Sequence, residues 1–153
     1  MKVVFFLLCG ASLLAQSVTG EWTDQTYPPY VRRATYFGER PDWSHDGKKI
    51  LFSEKTYGDV FELDLATGII RSVTHHYFHN GYTRALYLSN GDILLSGSNT
   101  FSPAEPSDSR FRTVELWVLT KNLDKPPVPL GEFFWEGPAV SRTQLIQIGR
   151  AHV

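Results

Sequence analysis

Pro41-Asp42-Trp43-Ser44-His45-Asp46-Gly47-Lys48-Lys49-Ile50-Leu51-Phe52-Ser53 sets an Asp-Gly pair between two apolar segments. An Asp-Gly or Asn-Gly pair in that setting is a strong hairpin signal, because type I′ turns need φ > 0 at both central residues. The segment is not alone. Ala85-Leu86-Tyr87-Leu88-Ser89-Asn90-Gly91-Asp92-Ile93-Leu94-Leu95-Ser96 repeats it, with Asn90-Gly91 lying 44 residues beyond Asp46-Gly47. Glu136-Gly137-Pro138-Ala139-Val140-Ser141-Arg142-Thr143-Gln144-Leu145-Ile146 begins it a third time. Its Glu136, Pro138 and Ser141 match Glu39, Pro41 and Ser44 at a separation of 97 residues.

Two units therefore fill that interval, at about 48 residues each. Each reads as short strands. Lys49-Ile50-Leu51-Phe52-Ser53 is the second strand of the first unit, and Asp59 to Asp64 alternates as a third. Ala66-Thr67-Gly68 then turns the chain into Ile69 to Thr74, a fourth. In the second unit Val114 to Leu119 and Val128 to Leu130 take the corresponding places. Upstream, Val31-Arg32-Arg33-Ala34-Thr35 is similar to Arg71-Ser72-Val73-Thr74 and is expected to be the closing strand of a further unit. Four strands in each unit of about 40–50 residues is the pattern of a β-propeller. The expected fold is all-β: a partial propeller of about two and a half four-stranded blades over residues 31–146. Two blades cannot close a ring, so the chain alone is expected to be marginal or self-associating.

The quoted stretch resembles the P-x-W-S-P-D-G-K-x-I-A-F signature of TolB-like (WD40-like) propeller repeats, with His45 in place of Pro. Phe61-Glu62-Leu63-Asp64-Leu65-Ala66-Thr67-Gly68 is similar to the family's Y-x-x-D-x-x-T-G, and Val73-Thr74 to its closing L-T. The resemblance implies structural roles for the repeated residues. Trp43 and Tyr87 would fill the contact between neighbouring blades. Asp46, Gly47, Asn90 and Gly91 would form turns, as would Asp64, Thr67 and Gly68. It implies little about activity, since one such fold hosts many.

Composition narrows the function. A net charge of −1 supplies no basic face for nucleic acid. With 14% aromatic residues the chain is not of disordered type, and one Cys excludes a disulfide scaffold. Met1-Lys2, the apolar run Val3 to Ala15 and the small residues up to Gly20 form the three regions of a signal peptide over residues 1–20. Cleavage before Glu21 is expected, with cleavage after Ala15 or Ser17 as alternatives. The mature protein would be secreted or periplasmic, without Cys9 and without a membrane span. Residues 21–30 form an N-terminal segment. At the other end, residues 147–153 match the translation of a sequencing adapter, so Arg150 and His152 are expected to carry no function.

His75-His76-Tyr77-Phe78-His79 is the unusual feature. It falls on the connection between the first two blades, where His75, His76 and His79 could share a divalent transition metal. A distant resemblance to oligogalacturonate lyases, whose channel carries a His-bound manganese, makes a channel-type carbohydrate lyase the alternative to a plain binding or scaffold module. A peptidase gating domain is a third reading. No G-x-S-x-G, P-loop, G-x-G-x-x-G or H-E-x-x-H motif is present, and no cofactor is called for. Ser44, Ser89 and Ser141 sit at turns. The partner expected for a binding module is a protein or a carbohydrate. Asn99 to Arg112, polar and containing two Pro, is expected to protrude as a mobile loop.

Overall fold

The computed structural model describes residues 27–133, 138–140 and 146–148. The leader expected over residues 1–20, together with residues 149–153 of the expected tail, lies outside them. Residues 27–34 belong to a separate small unit, where the Val31 N–H closes a turn on the Pro28 carbonyl at 2.8 Å. Residues 31–35 form no strand, contrary to expectation. A strand requires a ladder partner, and no described strand offers one here.

From Thr35 onward the chain forms antiparallel sheets in simple meander order. The first contains β1 (Glu39–Trp43), β2 (Lys49–Ser53), β3 (Val60–Asp64) and β4 (Ile70–Ser72). The second contains β5 (Arg84–Tyr87), β6 (Ile93–Ser98), β7 (Val114–Leu119) and β8 (Val128–Phe133). A two-stranded pair follows, β9 (Pro138–Val140) with β10 (Ile146–Ile148), so part of the expected tail is strand.

Side-chain alternation fixes how these sheets stack. Leu51 and Val60 of the first sheet, with Val73 just after β4, meet Ala85, Tyr87, Ile93, Leu95 and Leu119 of the second in one buried cluster. The other face of the second sheet buries Leu94, Val114 and Leu116, and Val140 of β9 packs on them. Trp43, Tyr87 and Val140 occupy equivalent repeat positions. Tyr87 and Val140 each lie against the preceding sheet. Trp43 is 58% exposed, and no described sheet precedes its own for it to lie against.

The turns correct the sequence reading. Gly47 and Gly91 have φ of +69° and +87°, whereas Asp46 and Asn90 are not in the left-handed region, so neither hairpin uses a type I′ turn. Instead the Gly47 N–H donates to the Ser44 carbonyl at 2.9 Å and the Gly91 N–H to the Leu88 carbonyl at 2.9 Å. Each is a turn closed by a left-handed glycine, the pattern of three- and four-residue hairpin loops. Loop length also differs. Trp43 pairs with Ile50, but Tyr87 pairs with Ile93. The second loop is one residue shorter, so Ile50 corresponds to Ile93 and not to Leu94. That one-residue step keeps the apolar face of β6 turned toward the first sheet.

The Asn99–Arg112 insertion is also unlike its expectation. It carries a short helix, α1 (Pro106–Phe111), with Ser109 buried and its Oγ accepting the Ser102 N–H at 3.2 Å. Tyr57, in the β2–β3 turn, packs against Phe101 at a tilt, with ring centroids 4.9 Å apart, and donates its hydroxyl to the Pro106 carbonyl. Aromatic burial thus anchors the insertion across the neighbouring sheet.

Candidate functional site: a cleft between the first two sheets

His75 and His79 meet at Asp59, and His76 does not join them. Asp59, just before β3, accepts the Thr74 hydroxyl at 2.7 Å and His79 Nε2 at 3.0 Å through Oδ1, and lies 3.2 Å from His75 Nδ1 through Oδ2. His79 Nδ1 accepts the Gly81 N–H at 2.9 Å, so Nε2 carries the proton given to Asp59. Both nitrogens of His79 are therefore engaged in holding the connection. His76 points elsewhere: its Nε2 meets the Leu123 carbonyl at 3.1 Å, and its ring lies on Tyr77, whose hydroxyl donates to the same carbonyl. Among the described residues no three metal-ligating side chains come together. The donor set does not fit a His-bound metal, because one imidazole has no free nitrogen and another faces a different loop.

Asp59 is held below the ordinary carboxylate range. Burial alone would raise its pKa, but hydrogen bonds from Thr74, His75 and His79 outweigh that. The cluster is thus a hydrogen-bonded clasp on the connection between the sheets. The turn residues behave in the same way. Asp64 Oδ1 accepts the Ala66 and Thr67 N–H groups and the Thr67 hydroxyl at 2.9–3.0 Å, and Asp46 Oδ1 accepts the Ser44 hydroxyl at 2.7 Å.

A site the sequence reading did not single out lies at the end of the sheets that carries the β1–β2, β5–β6 and β7–β8 loops. There the two sheets part into a cleft of about 500 Å³. At its floor is Glu62 of β3, whose side chain is 8% exposed. Alternation directs Glu62 toward the second sheet, and pairing places Lys49 and Arg71 beside it on the same face. Glu62 Oε1 accepts Lys49 Nζ and Arg71 Nε at 2.9 Å each, and the Arg71 Nη2 atom stands 2.8 Å away in the same ion pair. Oε2 accepts the Tyr87 hydroxyl at 2.8 Å. Burial would raise the Glu62 pKa, but the Lys49 and Tyr87 hydrogen bonds and the Arg71 charge hold it down. Burial and the bond to Glu62 push the Tyr87 phenol far up, so it stays a donor. The Tyr87 N–H completes the joint by donating to Asp42 Oδ2 at 2.7 Å. Ser44, His45, Ser89, Lys121 and Asn122 form part of the walls.

Comparison of the fold with solved structures decides the architecture. A protein assigned as TolB from Agrobacterium tumefaciens superposes with a TM-score of 0.53 and 16% identity, over 73% of this chain and 38% of that one. The two four-stranded sheets resemble blades of the TolB β-propeller. TolB from Acinetobacter baumannii aligns at a TM-score of 0.46 and 20% identity, over 70% of this chain and 24% of that one. At these identities the likeness is one of fold. The chain spans well under half the length of either structure. No family model matches the sequence. No curated protein matches it either.

Proposed function

We propose that this chain is part of an exported TolB-type propeller that acts as a binding module, and that the cleft between its first two blades is where it binds. The observation that carries this reading is the Lys49–Glu62–Arg71–Tyr87 network. It places charged groups, fixed by one another, at the floor of a concave space of the size small ligands occupy, about 300–1,000 Å³. The histidines support binding over lyase chemistry, because His79 spends both nitrogens on the Asp59 clasp. Export rests on the leader-like residues 1–20.

Backbone-amide NMR of the full chain, titrated with a panel of polar small molecules, tests the binding site. The expected result is saturable shifts at Ser89, Gly91 and Asn122 with the ligand recovered unchanged. Turnover of a ligand, or shifts centred on His75–His79, would refute the proposal. Mass determination of the protein recovered from the exported fraction tests the leader, with the N-terminus expected at Glu21.

A further inference from the structure

The charges of the cleft identify the class of ligand. Glu62 brings one negative charge and is faced by two cations, Lys49 and Arg71. Its Oε1 is taken by Lys49 and Arg71 and its Oε2 by the Tyr87 hydroxyl, so its one charge is answered within the network. A cationic ligand at the floor would be set against Lys49 and Arg71. The cations are not used up. The Lys49 ammonium keeps two N–H groups and the Arg71 guanidinium three, while their side chains are 36% and 51% exposed. Lys121 lines the same cleft and has no ion-pair partner among the described residues. The lining carries three cations, Lys49, Arg71 and Lys121, against two acids, Glu62 and Asp46. Asp46 accepts the Ser44 hydroxyl and the Lys48 N–H, and Asp92 accepts the Lys121 N–H and the Asn90 amide.

From this imbalance we infer that the cleft binds a small oxyanion, a carboxylate or phosphate group on a polar body. Arg71 and Lys49 form its cationic wall, and Lys121 lies in the same cleft. Glu62 is the positioning residue that holds the two cations in place. Arg suits this role because its planar fork keeps donors in fixed directions after two have been committed. The inference rests on the binding-module reading and adds a ligand class to it.

The test is titration of the full chain at constant ionic strength with inorganic phosphate, glucuronate and glucose, following the amides of Ser89, Gly91 and Asn122. Saturable shifts are expected with phosphate, with glucuronate or with both, and the stronger of the two names the group; glucose should give none. Arg71→Gln should weaken binding by about tenfold, the loss of one charge-assisted contact. Lys121→Gln should weaken it about threefold, by the same reasoning for a flexible point charge. Lys121 lies outside the Glu62 network, so its variant reports on binding even if Arg71→Gln unfolds. Equal binding of glucose in the cleft would overturn the oxyanion class and leave the module reading standing. Absence of saturable shifts with every probe, or shifts unchanged in both variants, would overturn the oxyanion site itself.

Discussion

Tyr87→Phe isolates one hydroxyl in the joint between the sheets. The ring stays, so apolar burial is unchanged and the difference reports the bond to Glu62. A hydrogen bond to a charged group contributes about 1.5–3 kcal/mol. The lower end applies, because Glu62 Oε1 keeps its contacts with Lys49 and Arg71 and the cleft gives Oε2 some access to water. The expected cost is about 1.5 kcal/mol at pH 7, or a fall in Tm of several degrees for a domain of this size. Urea melts of the full chain measure it. In a Glu62→Gln background the same substitution should cost about half as much, because the bond there is neutral and charge-assisted bonds are roughly twice as strong. The acid dependence has a definite sign. Glu62 has its folded pKa lowered from 4.5, so its stabilisation is complete above that ordinary value and is lost as pH falls through the lower folded value. A cost of Tyr87→Phe below about 0.5 kcal/mol, or an equal cost with and without the Glu62 charge, would refute the joint as described.

Other consequences follow from the same contacts. Gly81→Ala should cost several kcal/mol by chemical denaturation, about the upper range for a single substitution, since its φ is +88° and a Cβ would lie 2.1 Å from the Tyr57 carbonyl oxygen. Gly47→Ala, with φ +69° and open space, should cost only about 1 kcal/mol of left-handed strain. Tyr87→Ala should cost about 3–5 kcal/mol as a buried aromatic truncation, whereas Trp43→Ala, at 58% exposure, should stay under about 1 kcal/mol; equal costs would contradict the stacking. Asp59→Asn should speed amide exchange at Val60, whose N–H is held by the Thr74 hydroxyl, and should flatten the acid limb of stability that the lowered Asp59 pKa produces.

Local patterns were legible and long-range partners were not. The strands from Lys49 to Asp64 follow from alternation and turn residues, both properties of neighbouring residues. The turn type went astray because Asp-Gly fits more than one loop; the side chains of Ser44 and Asp46, bonded to each other and to the Lys48 N–H, select the longer one. The one-residue step at Gly91 cannot be seen by matching Asp-Gly to Asn-Gly, since it shows only in which face β6 buries. The His75–His79 cluster suggested ligation because imidazoles are close in sequence. Asp59, sixteen residues before His75, claims two of them instead. Glu62 read as one polar step in an alternating strand. Its partner Tyr87 lies 25 residues away, so only the stacking of the sheets reveals it.

The repeat position shared by Trp43, Tyr87 and Val140 shows why the repeat marks fold and not function. The position asks for an apolar side chain against the preceding sheet, and Tyr87 and Val140 both satisfy it. Valine would close the joint between the first two sheets as a hydrophobic contact alone. Tyrosine adds a hydroxyl, and that hydroxyl meets a glutamate buried on the facing strand. Burying a charge is costly unless it is paired and hydrogen-bonded, so the Glu62 network cannot be explained by packing, which an apolar pair would serve as well or better. What the network does provide is two cations held in fixed positions at the floor of a cleft. The residues that depart from the repeat's minimal requirement are therefore the ones that shape the site.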